Sequence, residues 1–353
     1  RGISETVQGG MHAADFQEQF SIAGRRLGGG APCLFIAEAG VAHFGDMDMA
    51  IQLVELAADA GADVFKTQVF DVDELIAAEL PEWRDRLRPR NLSLAEFKEL
   101  KTLCDERDLL FIATAHNESR ISWLQELDVP AIKVGSGERG NPGFLTRLAE
   151  LDRPMIVSTG MYDERDVGEA LEACAKGGCD RVALLHCITA YPTPEEQVNL
   201  AAMDRLAELF PGPVGYSDHT RDHLALLAAV ARGAEVVEKH ITILRDVPNA
   251  QDWKVSAGPE DLATLVANVR RIEAMLGHGR KEPTAAEREG QVWATKSVVA
   301  RHDLAAGAVL RPDDLITKRP GSGIPANQVN DIVGRTLARD VVADTLLQMK
   351  DLA

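Results

Sequence analysis

One pattern constrains this chain more than any other: a short run of apolar and β-branched residues followed by a helical pattern, repeated eight times. The runs are CLFIAEAG (33–40), DVFKTQVF (63–70), LLFIATA (109–115), AIKVGSGE (131–138), PMIVSTG (154–160), RVALLHC (181–187), GPVGYSDH (212–219) and EVVEKHIT (235–242). The stretches between them carry helical spacing. MDMAIQLVELAADAG ends at Gly61, and the stretch from Ser93 to Arg107 brings Leu94, Phe97, Leu100 and Leu103 to one face. Others open near Asn117, Asn141, Asp163 and Leu200, and GPEDLATLVANVRRIEAMLG closes the series. Eight such units predict an α/β fold, a (β/α)8 TIM barrel over residues 16–277, because an open doubly wound sheet usually needs fewer strands.

The rest of the chain divides around that barrel. Residues 1–15 are taken as a tail outside the fold. Gly, Lys, Glu and Pro crowd together after Gly277, so residues 278–295 are expected to be a linker. Residues 296–353 form a small separate unit with an internal repeat, since DLAAGAVLRPDDL (303–315) aligns without gaps on DVVADTLLQMKDL (340–352).

Charge and cysteine usage exclude some functions. With 38 basic against 55 acidic side chains the net charge is -17, which opposes binding to nucleic acid or to anionic membranes. No apolar run reaches membrane-spanning length, and nothing resembles a signal peptide. Five cysteines, odd in number and without metal-type spacing, read as reduced thiols and predict a cytoplasmic protein.

In a barrel of this kind the chemistry sits where the strands end. The strand ends carry Glu38, Lys66 and Gln68, Thr114, Lys133 with Ser136 and Glu138, Ser158 and Thr159, Ser217 with Asp218 and His219, and Glu238 with Lys239 and His240. His219 and His240 are 21 positions apart, too far for one helix but suited to two neighbouring parallel strands opening into one pocket, where two imidazoles can hold a metal. Lysine point charges and hydroxyl donors in an acidic protein suit a phosphate-bearing carboxylate, with Lys66, Thr114, Lys133, Ser136 and Ser158 as the set. Glu38 and Glu138 are candidates for placing or deprotonating a water, and either can instead hold Lys66 or Lys133. His43, His116, His186 and Cys187 are read as structural, and Trp83 as either a cover or a packing residue.

FIAEAG, FKTQ, IKVGSGE, VSTGM, LHCITAYPTP, YSDHT and EKHIT, in that order, resemble the sialic acid (N-acetylneuraminate) synthases. The stretch KRPGSGI (318–324) is similar to their C-terminal antifreeze-like (SAF) domain. The resemblance covers about residues 20 to 353. It implies condensation of phosphoenolpyruvate with an N-acylated amino sugar aldehyde, giving a nonulosonic acid and phosphate by C–O cleavage. It implies a divalent metal, Mn2+ before Mg2+ or Co2+, on His219 and His240. Lys66, Gln68, Thr114, Lys133, Ser136, Ser158 and Ser217 would surround phosphoenolpyruvate. Tyr191, Asp252 and the region of Thr189 would meet the sugar, and Arg319 would reach in from the partner of a domain-swapped homodimer. Ala42 stands where the family usually has Asn, and Ile188 and Thr189 where it often has Thr and then Asn or Ser, which leaves the sugar open. N-acetylmannosamine, its 6-phosphate and the 2,4-diacetamido trideoxy hexoses of legionaminic and pseudaminic acids are the candidates. A Schiff-base aldolase using Lys66 or Lys133 and a non-catalytic sugar-binding protein are the competing functions.

Overall fold

The computed structural model describes residues 15–353, so of the tail assigned to residues 1–15 only Asp15 falls within the described residues. The chain divides into two compact units between Gly277 and His278.

The first unit opens with a hairpin that the sequence reading passed over, β1 (Phe20–Ile22) and β2 (Arg25–Leu27). Its two-residue turn puts Ala23 and Gly24 at φ 46° and 84°, the mirror-image turn whose twist matches antiparallel strands. Eight parallel strands follow: β3 (Leu34–Gly40), β4 (Val64–Val69), β5 (Leu110–Ala115), β6 (Ile132–Val134), β7 (Met155–Ser158), β8 (Val182–Cys187), β9 (Val214–Asp218) and β10 (Val236–His240). They pair in sequence order, and β10 closes on β3, giving the eight-stranded barrel. The most shortened strand is β6. Gly135 and Gly137 break the extended run expected to reach residue 138, and Ser136–Glu138 form a 3-10 turn instead.

Helices cover the outside of the barrel, and their boundaries follow local chemistry. Ser93 caps the helix Leu94–Glu106 through a reciprocal bond with Glu96, and Asp163 does the same with Asp166 for the helix Glu164–Lys176. Phe97, Leu100 and Cys104 are the buried residues of the first.

Alternation along the strands separates two cores. Side chains facing outward, such as Phe35, Phe65, Phe111 and Val157, join the helices in the larger core. Inward-facing Leu34, Ile36, Val64, Ile112, Ile156, Leu185 and Val236 form a second core together with Phe20, Ile22 and Leu27 of the hairpin. The hairpin therefore plugs the N-terminal end of the barrel, each of these three side chains contributing about 1.5–3 kcal/mol by burial. Two residues further along five of the strands the same inward face turns polar: Ile36 gives way to Glu38, Val64 to Lys66, Ile112 to Thr114, Ile156 to Ser158 and Val236 to Glu238.

The second unit starts with a departure from expectation. Within the segment read as a linker, residues 278–295, Glu287–Ala294 form a helix with Glu287 and Glu289 in its first turn, where carboxylates suit the helix dipole. Beyond it, β11 (Ser297–Ala300) pairs with β12 (Leu315–Lys318). The repeat is expressed as reciprocal bonds across the unit. Leu304 and Val341 exchange backbone bonds of 2.8 and 2.9 Å, the Ala306 amide donates to Asp340, and the Ala343 amide donates to Asp303, both at 2.7 Å. Pro312–Asp314 and Met349–Asp351 are matching 3-10 turns.

The two turns differ in one respect. Asp351 is fully buried and accepts from the Gln348 amide at 2.8 Å and from Arg339 Nε at 2.7 Å, whereas Asp314 is partly exposed and meets His302. Asp351→Ala is expected to destabilise the second unit by about 1–3 kcal/mol, the loss of two hydrogen bonds to a buried carboxylate, and Asp314→Ala by less. Urea unfolding of the full chain, followed by amide exchange in residues 296–353, checks the order; equal effects would contradict it.

Candidate active site

The inward polar residues meet above the barrel core in a cavity of about 170 Å³. Its floor is a charge cluster. Lys66 Nζ lies 2.8 Å from Glu38 Oε2 and 3.7 Å from Glu238 Oε2, and the same Glu238 oxygen lies 3.8 Å from Lys133 Nζ. Strand register produces this, because Glu38 stands opposite both Lys66 and His240, and Glu238 opposite Ser217. All four charged side chains are buried. Burial alone would neutralise them, but for Lys66 the Glu238 and Glu38 carboxylates outweigh it and hold the pKa above the usual lysine value. For Glu238, likewise, the two ammonium groups overcome burial and hold the carboxyl below the carboxylate range. Lys133 goes the other way, pushed down by burial and by Lys66.

Neutral groups complete the lining. Lys133 donates to Ser158 Oγ at 2.7 Å, Ser217 Oγ donates to Glu238 at 3.1 Å, and Gln68 Nε2 donates to Glu38 at 3.1 Å. Ser136 Oγ accepts from the Gly160 amide at 3.0 Å. At Gly160 an added Cβ would lie 2.3 Å from Thr189 Oγ1 and 2.7 Å from Ser136 Oγ, so only glycine lets the two loops approach. The Thr114 hydroxyl is buried with no hydrogen-bond partner among the described residues, a donor left free for a ligand. Two ammonium groups and this set of hydroxyls suit an oxyanion such as phosphate or carboxylate.

Above the floor sit the histidines. The His219 and His240 ring centroids are 5.3 Å apart, and Tyr191 stacks on His219 at 4.1 Å and meets His240 edge-on at 5.8 Å. His219 Nδ1 donates to the Ile188 carbonyl at 2.7 Å, which leaves Nε2 as a lone-pair donor. Burial, then repulsion from His240, lowers the His219 pKa to about 3, so its ring is neutral at ordinary pH. Among the described residues no group of three or more His, Cys, Asp or Glu side chains forms a closed metal cage. The pair fits an ion held by two protein ligands with its other positions open, and not a structural metal site.

The rim residues separate. Thr189 and Tyr191 line the cavity, while Asp252 lies beside it, 4.0 Å from His240 Nδ1, lining a neighbouring groove with Trp83 and Arg90. Arg319 belongs to the second unit, with its guanidinium over Trp293. Glu138 is not in the lining: it accepts from Asn141 on the 3-10 turn, and Glu238 stands beside Lys133 where Glu138 had been considered. Sequence reasoning gave Glu238 no role. The signal was available, since Glu238 and His240 are two apart on one strand and share a face. His116, set aside as structural, is in the lining, its pKa lowered to about 4 by burial and by Lys66 and Lys133. Cys187 behaves as expected, with burial raising its thiol pKa.

Comparison with known proteins adds identity to geometry. A profile described as the NeuB family matches residues 53–281, and one described as the SAF domain matches residues 295–353. The N,N'-diacetyllegionaminic acid synthase of Campylobacter jejuni is 36% identical over 89% of this chain and 98% of its own length. The human N-acetylneuraminate-9-phosphate synthase is 33% identical over 91% of this chain and 93% of its own. The N-acetylneuraminic acid (sialic acid) synthetase of Leptospira borgpetersenii, solved with citrate, superposes with TM-score 0.73 at 34% identity over 78% of this chain and 95% of that one.

His43 keeps its structural reading. It is 1% exposed, lies edge-on to Phe97 and accepts from the Gly45 amide at 3.0 Å through Nδ1. Burial lowers its pKa from 6.5 to about 4. Between those values the unfolded chain binds a proton that the folded one does not, so stability falls as pH drops through this window and the loss is complete below about pH 4. His43→Asn, which keeps an acceptor for Gly45, is expected to reduce the slope of urea stability against pH by close to one proton between pH 4.5 and 6. An unchanged slope would contradict it.

Proposed function

The chain belongs to the NeuB family, whose members include synthases of sialic and legionaminic acids, and from that membership we propose that it condenses phosphoenolpyruvate with an N-acylated amino sugar aldehyde. The observation that carries the reading is the joining, in one cavity, of two buried lysines and a free Thr114 hydroxyl with an open pair of histidines.

In this reading the enol phosphate and carboxylate lie on the floor, against Lys66, Lys133, Thr114, Ser136, Ser158 and Ser217, with Gln68 beside Glu38. His219 and His240 would hold a divalent ion, Mn2+ before Mg2+ or Co2+, which would supply Lewis-acid polarisation of the acceptor's aldehyde oxygen. C3 of phosphoenolpyruvate bonds to the aldehyde carbon, the alkoxide takes a proton, and water adds at C2. The bond between C2 and the bridging oxygen then breaks, inorganic phosphate leaves with that oxygen and the electron pair, and the remaining C2 hydroxyl gives up its proton to become the ketone. Glu38, with Oε2 2.8 Å from Lys66 Nζ, is placed to orient that water or take its proton. Tyr191 and Thr189 shape the acceptor space, with Asp252 at its edge. Arg319 of a partner subunit completes the site in a domain-swapped homodimer, which sedimentation would detect as a doubled mass.

The candidate acceptors are N-acetylmannosamine, its 6-phosphate and the 2,4-diacetamido trideoxy hexoses that lead to legionaminic or pseudaminic acids. Similarity to the Campylobacter legionaminic acid synthase favours testing the diacetamido hexoses alongside N-acetylmannosamine. A second reaction class has one supporting observation, the lowered pKa of Lys133, which suits a Schiff-base amine. Borohydride with pyruvate would trap that adduct; the synthase should form none.

Incubation with phosphoenolpyruvate, Mn2+ and a panel of amino sugars is expected to release phosphate with at least one acceptor and to stop on chelation. His219→Ala and His240→Ala should each abolish release in folded protein, and Lys66→Met should lower kcat/KM by about 100-fold or more. Tight sugar binding without phosphate release from any acceptor would replace the synthase with a sugar-binding protein.

A further inference from the structure

Behind the histidine pair, on the outer face of the same two strands, lies a second ion pair that takes no part in the floor cluster. Lys239 and Asp218 are cross-strand neighbours, their side chains are 0% exposed, and Lys239 Nζ lies 2.7 Å from Asp218 Oδ2. Each is adjacent in sequence to one of the histidines. The ammonium also donates to the carbonyls of Thr220 and Asp222, at 2.9 and 2.8 Å. Asp218 Oδ1 accepts from Tyr216 Oη, from the Thr220 amide and from Thr220 Oγ1, at 3.1, 3.0 and 2.9 Å. Between them the two side chains tie down the segment that leaves β9 directly after His219.

A buried ion pair is a poor means of stabilising a barrel wall, because two well-packed apolar side chains do as well or better. Apolar side chains have no donor for the carbonyls of Thr220 and Asp222, however. We infer that Lys239 and Asp218 are positioning residues: one clamp, anchored on β10 and reaching the loop after β9, that fixes the spacing and orientation of His219 and His240. The inference rests on the reading of that pair as the metal seat.

The test is metal binding by the full chain, stripped with chelator and titrated with Co2+, read by visible absorption and calorimetry, beside urea unfolding of the same samples. Lys239→Met alone strands a buried carboxylate and can unfold the protein, so the deciding variant is Asp218→Asn with Lys239→Met, which removes both charges. It is expected to unfold cooperatively yet bind Co2+ about tenfold or more weaker than the parent, the range typical of outer supports of metal ligands. Asp218→Asn with Lys239→Gln, which returns a donor for the carbonyls, should recover much of the loss. Co2+ affinity within twofold of the parent in the first double variant, whatever its stability, would overturn the clamp and leave the metal seat standing. Co2+ binding that His219→Ala and His240→Ala do not change would overturn the seat itself, and the clamp with it.

Discussion

Four buried charges at the mouth of the barrel set the terms for everything around them. Glu38, Lys66, Glu238 and Lys133 alternate in sign, so each carboxylate faces an ammonium group and the cluster is neutral as a whole. Desolvating such groups singly would cost several kcal/mol each, and removing one leaves its neighbours uncompensated. The cluster is therefore tolerated only where strand register delivers all four together, and a shift of one residue in β3, β4, β6 or β10 would turn a charge into the helix layer. A wall this rigid is what an anionic ligand needs, because the donors are already oriented when it arrives.

The eightfold alternation made the barrel legible because parallel strands buried on both faces read as apolar runs bounded by helices. The site was legible in the same proportion. Lys66, Thr114, Lys133, Ser158, Ser217, His219 and His240 stand at strand ends, and strand ends converge. What escaped was whatever depends on direction and not on position. Glu238 was visible in EKHIT, but its neighbour Lys239 points to the opposite face, and only the pleat distinguishes a residue of the cavity from one of the outer wall. Glu138 failed for the complementary reason: Gly135 and Gly137 end β6 early, so the glutamate three residues after Gly135 rides on a turn and not on the strand. The hairpin escaped because its strands are three residues each and carry too few positions for periodicity to register.

The second unit shows the same division. Its repeat was readable as an alignment, yet what the repeat builds is a set of bonds exchanged between halves, Asp303 with Ala343 and Asp340 with Ala306. Sequence similarity between the halves survives at the residues that cap and pair, since these depend on side-chain chemistry. At Asp314 and Asp351 the residue and its amide bond are shared while the surroundings differ, one half being wet and the other dry.

The hairpin that fills the far end of the barrel also governs traffic. With Phe20, Ile22 and Leu27 packed among Ile36, Ile112 and Leu185, the chamber formed by the described residues opens toward the C-terminal ends of the strands. An anion on the lysines is then at the bottom of a one-ended vessel, and whatever rests against Tyr191 and Thr189 lies across its exit. Under the proposed function, loading would run from the floor upward and emptying from the rim downward. Such a geometry would impose an order on substrates and products without any moving part, and clearance of the upper occupant would limit turnover.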